Sequence, residues 1–211
     1  MDDSRISICS ISVIEHPPEK AFEIIRAAGY KKVDVLERVP HFSLFPEECD
    51  PAALKAAAES NGLQIANLGT YVGGGTNGRR AVWTTWHSWT VPEPHQFSSF
   101  GFSSDTLAEQ ERELEQLVRA IELAVFFGAR SIRVIPGTDR PDTMDKIVPW
   151  LKRAAEYAEE QNIYMGIEHM HGLGTISGTP ELLRELVEKV GSPYLGVLYE
   201  PGNLMYISRI D

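Results

Sequence analysis

The sequence predicts an α/β protein in which a parallel β-sheet is covered by helices. Three observations carry this reading. Short apolar runs alternate with segments of helical apolar spacing, and the joints between them are rich in Gly, Pro and Asn. The alternation recurs about every thirty residues with a single interruption, which is the spacing of strand–helix units rather than of hairpins. Most of the strand-like runs also give way to a polar residue: Ser12, Glu37, Asn67, Arg133, Glu168 and Glu200.

Each element has its own signals. Arg5–Ile11 alternates Ile with Ser and Cys, a strand pattern. Pro17 and Pro18 open a first helix with Phe22, Ile24, Ile25 and Ala28 on one stripe, and Gly29 closes it. Val33–Leu36 is the second strand. Asp50 and Pro51 start the next helix as N-cap and first residue, and Asn61-Gly62 stops it. Leu63–Leu68 is the third strand. After a long gap, Thr106 and Glu109 have capping-box spacing ahead of Leu114, Leu117, Val118, Ile121 and Val125, with Gly128 as the stop. Ser131–Ile135 is the fourth strand, closed by Pro136-Gly137. The helix after it runs to Gln161-Asn162, with Pro149 expected to divide an entry turn from the main body. Residues 163–167 form the fifth strand. Thr179 caps and Pro180 begins the last helix, Gly191 ends it, and residues 195–199 form the sixth strand.

An open doubly wound sheet and a (β/α)8 barrel both satisfy this order. No G-x-G-x-x-G follows a strand, and Gly73-Gly74-Gly75 is not followed at once by a helix, so a nucleotide-binding crevice has little support. Polar groups at many strand ends suit a barrel mouth better than a single switch point. The expectation is therefore a single TIM-barrel-type domain over residues 1–211 with a long insertion at 69–104. It is incomplete, with six parallel strands and five flanking helices where a full barrel takes eight units in about 250 residues.

Charge and composition narrow the partners. With 20 Lys and Arg against 30 Asp and Glu, the formal net charge is −10, which disfavours a nucleic acid backbone. No apolar run reaches the ~18 residues of a membrane span, and Met1-Asp2-Asp3 is not a signal peptide, so a cytoplasmic protein is expected. Cys9 and Cys49 lack metal-binding spacing and read as reduced thiols.

The most informative stretch is Ile163 to Asn203. A strand, a helix and a second strand of this length make a βαβ unit, so Glu168 and Glu200 should project from the same sheet edge. With His169 and His171 beside the first, they offer oxygen and imidazole ligands for a divalent cation. The plainer alternative is that both carboxylates cap loop amides. Asn203 follows a Pro-Gly turn, where its amide either enters the site or serves the turn. Arg133 lies inside a strand, where a buried guanidinium needs an acidic partner, and Glu168 is the candidate. Arg79, Arg80, Trp83, Trp86, His87, Trp89, His95, Phe97, Phe100 and Phe102 make the insertion a lid or a contact surface.

Gly-Ile-Glu-His-Met-His-Gly (166–172), Thr-Ile-Ser-Gly-Thr-Pro (175–180) and Gly-Val-Leu-Tyr-Glu-Pro-Gly-Asn (196–203) carry a family resemblance. Ala28-Gly29-Tyr30 and the Asn-Gly-Leu turn at 61–63 add weaker echoes. The chain resembles the xylose isomerase-like TIM barrels, the sugar phosphate isomerase/epimerase superfamily that also includes endonuclease IV and inosose dehydratase. The resemblance implies a divalent metal (Mn2+, Mg2+, Co2+ or Zn2+) held by a Glu ending strand five, an Asp or Glu ending strand six, a His on strand seven and a Glu on strand eight. Glu168 and Glu200 match the first two, and the sequence has no counterpart of the others. Glu168 and Glu200 are then the expected catalytic pair; the resemblance implies that one of His169 and His171 contacts substrate hydroxyls, and Asn203, Arg133, Asn67 and Glu37, read from their strand-end and turn positions, are the other expected substrate contacts. The implied activity is isomerisation, epimerisation or dehydration of a small carbohydrate-like substrate through an enediolate. The alternative is a non-catalytic or partner-completed subunit with a degenerate metal site. Six strands leave Ile6, Ile8 and Ile11 at one edge and Leu195, Val197 and Leu198 at the other, so the gap is expected to be covered by a second copy in a homo-oligomer, by a partner chain completing the barrel, or by the aromatic insertion folding across it.

Overall fold

The computed structural model describes residues 5–74, 101–137, 140–170 and 174–203. Six strands form one sheet in the order of the sequence: β1 (Ile8–Cys9), β2 (Lys32–Leu36), β3 (Gln64–Gly69), β4 (Ser131–Val134), β5 (Tyr164–Glu168) and β6 (Leu195–Leu198). The registered pairs are all parallel, and β1 and β6 end the order. Among the described residues five α-helices join them: α1 (Pro18–Ala27), α2 (Pro51–Ser60), α3 (Leu107–Phe127), α4 (Met144–Gln161) and α5 (Pro180–Val190). This is the predicted α/β order, an incomplete barrel. The chain clusters into two compact units, residues 1–70 with 119–132, and residues 71–118 with 133–211.

In the first unit, α1 packs on α2, and Val33, Val35, Ile65, Leu68 and Ile132 supply buried sheet side chains. Full burial of side chains such as Phe22 and Leu68 contributes about 2 kcal/mol each. The predicted strand Arg5–Ile11 shrinks to two residues because the chain coils into a 3-10 turn at Ser10–Val13. The buried Ser10 hydroxyl then accepts the Leu36 amide at 3.0 Å, substituting for a ladder carbonyl. Ser12 consequently belongs to that turn and not to a strand end. α2 begins as expected, with Asp50 Oδ1 accepting from the amides of Ala52 and Ala53.

In the second unit, α4 packs on α5 and on a 3-10 turn at Gly101–Ser103, which buries Phe102 completely. The close of the expected insertion is thus core. Residues 75–100, with their tryptophans, lie outside the described residues. Three local expectations need correction. α4 runs unbroken through Pro149, which forfeits one bond to the Asp145 carbonyl, while buried Ile147, Trp150, Leu151, Ala154, Ala155 and Ala158 continue the apolar stripe past it. The Thr106–Glu109 capping box does not form. Glu109 accepts instead from the Gly101 amide and the Ser104 hydroxyl, and the Thr106 amide donates to Ser104 Oγ. Thr179 occupies the N-cap position of α5, but its hydroxyl accepts from the Gly174 amide.

The α3 stripe is also rotated from its predicted setting. Val125 is exposed, and the buried positions are Leu117, Ala120, Ile121, Ala124 and Phe127, preceded one turn earlier by a buried carboxylate, Glu113. Glu113 Oε1 accepts the Gly73 amide at 2.5 Å. Gly73 itself has φ +95°, and a Cβ there would sit 1.6 Å from the Ile135 carbonyl oxygen, so only glycine fits.

Candidate functional site

Strand periodicity gives the sheet a dry face and a polar one. Within β4 and β5, Ile132, Val134, Met165 and Ile167 are buried, while Arg133 and Glu168 alternate with them and are half-buried. Toward the carboxyl ends of β4 and β5, Arg133 Nη1 donates to Glu168 Oε2 at 2.8 Å. The two side chains are 11% and 16% exposed. The acidic partner expected for Arg133 is therefore Glu168. The guanidinium also lies over the Tyr71 ring, 4.3 Å from its centroid, where the ring quadrupole favours a cation.

Glu168 pairs in register with Leu198, so Glu200 lies two residues beyond its strand partner. Glu200 Oε1 accepts the Gly202 amide at 2.9 Å, the loop-capping role that was the plainer alternative. Asn203 donates its side-chain amide to the His169 carbonyl at 2.8 Å, tying the end of β5 to the turn after β6. His169 is 3% exposed, and among the described residues neither of its ring nitrogens has a hydrogen-bond partner. His171 lies outside the described residues.

The first unit holds the other two predicted residues. Glu37, directly after β2, is fully buried, and its amide donates to the Gly69 carbonyl. Asn67 lies within β3 and not at its end. It donates to Asp34 Oδ1 at 2.9 Å and accepts from Ser131 Oγ at 2.6 Å, so both ends of its amide serve a ladder across three strands.

The cation implied by the family resemblance can be tested against these donors. Among the described residues no three His, Cys, Asp or Glu side chains are grouped to hold a metal ion. One oxygen of Glu168 accepts from the Arg133 guanidinium, and one oxygen of Glu200 accepts from a backbone amide. These residues by themselves do not fit a divalent metal. What they do offer is a carboxylate oriented by a guanidinium, a pair suited to moving a proton beside a developing oxyanion.

Sequence reasoning missed Asp34, Tyr71 and Glu113. Glu113 had a legible signal, since it stands one helical turn before Leu117 on the buried stripe, a position where a carboxylate needs a partner. Tyr71 had none.

Comparisons with known proteins agree with this architecture. A family model described as xylose isomerase-like TIM barrel matches residues 22–211. No curated protein matches the sequence. Among solved structures, an L-ribulose 3-epimerase is similar at 18% identity and TM-score 0.68, over 98% of this chain and 63% of that one. A D-allulose 3-epimerase from Methylomonas sp. is similar at 15% identity and TM-score 0.67, over 97% and 64%. An AP endonuclease, family 2, from Brucella melitensis is similar at 16% identity and TM-score 0.61, over 87% and 62%. At such identities the likeness is one of fold. The chain spans less than two thirds of each of these three structures.

Proposed function

The chain belongs to the xylose isomerase-like TIM barrel family, and on that premise we propose that it is a sugar isomerase or epimerase in which Glu168 moves a proton. The observation that carries the reading is the half-buried Arg133–Glu168 pair at the carboxyl end of the strands. The sugar epimerases among the structural neighbours supply the substrate class.

A sugar carbonyl acidifies the neighbouring C–H. Glu168 takes that proton, and the electron pair moves onto the carbonyl oxygen to give an enediolate. The Arg133 guanidinium, which holds Glu168 through Nη1, favours negative charge on that oxygen through its positive charge. Delivering a proton to the same carbon from the opposite face gives an epimer, and returning it to the former carbonyl carbon, with the neighbouring hydroxyl proton passing to the enediolate oxygen, gives an isomer. The first outcome needs a second acid, and Glu200, two residues past the end of the adjacent strand β6, is assigned that role.

The test is exchange of the carbon-bound proton beside the carbonyl of ketopentoses and ketohexoses in D2O, followed by 1H NMR. The wild-type chain is expected to exchange deuterium into one of them, and Glu168→Gln to slow this by about 10^2- to 10^4-fold. Exchange at the wild-type rate in Glu168→Gln would remove Glu168 from the mechanism.

A second reading is a barrel subunit completed by another chain. It is favoured by the strand order, in which β1 and β6 are end strands whose outer edges a further chain could pair. Under it the isolated chain gives no exchange, and light scattering gives a mass above 23.5 kDa.

A further inference from the structure

The second unit begins at Tyr71, two residues after β3, and this opening segment makes closely fitted contacts within the unit. Tyr71 is 7% exposed and carries the Arg133 guanidinium on its ring. The next two residues are clamped. The Ile135 amide donates to the Val72 carbonyl at 2.7 Å, and the Gly73 amide donates to Glu113, a carboxylate 1% exposed. The close approach of the Ile135 carbonyl to Gly73 leaves no room for a side chain. Burying a carboxylate is costly unless it is hydrogen-bonded, so a helix that places one against a loop amide gives that loop one strongly preferred setting.

From this we infer that Tyr71 is a positioning residue. Its ring holds the Arg133 guanidinium in the orientation from which Nη1 donates to Glu168, and the Glu113–Gly73 and Ile135–Val72 bonds hold the ring. Three consecutive residues, two clamps and one ion pair thus form a connected set that fixes the carboxylate from behind. A guanidinium with four rotatable stem bonds has many settings of similar energy. A flat aromatic face underneath selects among them with an attraction that a merely apolar filler lacks.

The inference rests on the assignment of Glu168 as the proton-moving group, so the test has one arm that depends on activity and one that does not. In the first, Tyr71→Leu lowers kcat for the deuterium exchange about 10- to 100-fold with KM within about twofold, because misplaced catalytic groups cost turnover more than binding. Tyr71→Phe, which keeps the ring, recovers most of the loss. In the second, 15N–1H NMR reads the Arg133 side chain. Restricted rotation gives separate Nη resonances in the wild type and in Tyr71→Phe, and these collapse in Tyr71→Leu. If leucine prevents folding, Tyr71→Met fills the same space without a ring face and carries both measurements. Absence of exchange in the wild type counts against the assignment of Glu168, and the NMR arm still decides the role of Tyr71. Separate Nη resonances persisting in a folded Leu or Met variant overturn the inference, as does unchanged kcat in that variant.

Discussion

Two polar clusters on the sheet follow the same strand periodicity and end up chemically different. In the first unit, Ser131 donates to Asn67 and Asn67 donates to Asp34, so a hydroxyl, an amide and a carboxylate hand hydrogen bonds across three strands. In the second unit, Arg133 and Glu168 meet as full charges beside an aromatic ring. The first cluster spends both ends of its central amide on neighbours, as groups that join strands do. The second holds one carboxylate oxygen with one guanidinium N–H, so its members are full charges and not neutral dipoles. Half-burial and strand position are shared, so these features do not mark the site. The distinguishing feature is a charge pair whose geometry is imposed from outside the strands.

The comparison predicts a graded response to mutation. The largest effect is expected at the ion pair. Arg133→Leu leaves the Glu168 carboxylate without its guanidinium, and partial exposure of that carboxylate moderates the cost to about 2–3 kcal/mol of unfolding free energy, read by urea denaturation. A loss below about 0.5 kcal/mol would show the pair to be energetically no different from a surface contact. At the neutral ladder, Asn67→Ala removes two bonds between half-exposed groups and is expected to cost about 1–2 kcal/mol with deuterium exchange unaffected. A drop in exchange for that variant would merge the two clusters into one functional site.

The smallest effect tests whether acid sensitivity resides in the first unit. His41 is buried there beside Phe22, with one ring nitrogen 3.0 Å from the His16 carbonyl oxygen. Burial lowers its pKa, opposed more weakly by the His16 carbonyl and by Glu15. The unfolded state, with an ordinary histidine near 6.5, then binds the proton more readily than the folded state. This contribution to stability is complete above about pH 6.5 and is lost as pH falls through that value toward the lowered folded pKa. Tm should fall between about pH 7.5 and 5.5, and fall less in His41→Gln. Equal slopes for the two proteins would place the acid sensitivity elsewhere.

Local chemistry was legible in the residues themselves. Asp50 capping α2, the left-handed stops at Gly62, Gly128 and Gly191, and the strand–helix order depend on contacts within four or five positions, which a sequence displays directly. The Arg133–Glu168 pair was legible too, because a strand-borne arginine needs an anion and parallel neighbours bring few candidates. The tertiary structure decided the rest. β3 pairs with β2 through a bulge that sets Ile65 against Val33 but Asn67 against Asp34, skipping Ala66. That single extra residue lets Ile65 and Leu68 both be buried, and it delivers the Asn67 amide to Asp34 and Ser131 together. Likewise Ser10 leaves its strand to bond Leu36, and Glu113 turns inward to hold Gly73. In each case the deciding partner lies 26 to 64 residues away in sequence. The free energy that selects the arrangement is the cost of leaving a buried donor or acceptor unmatched, and that cost exists only once the sheet has brought the partners together.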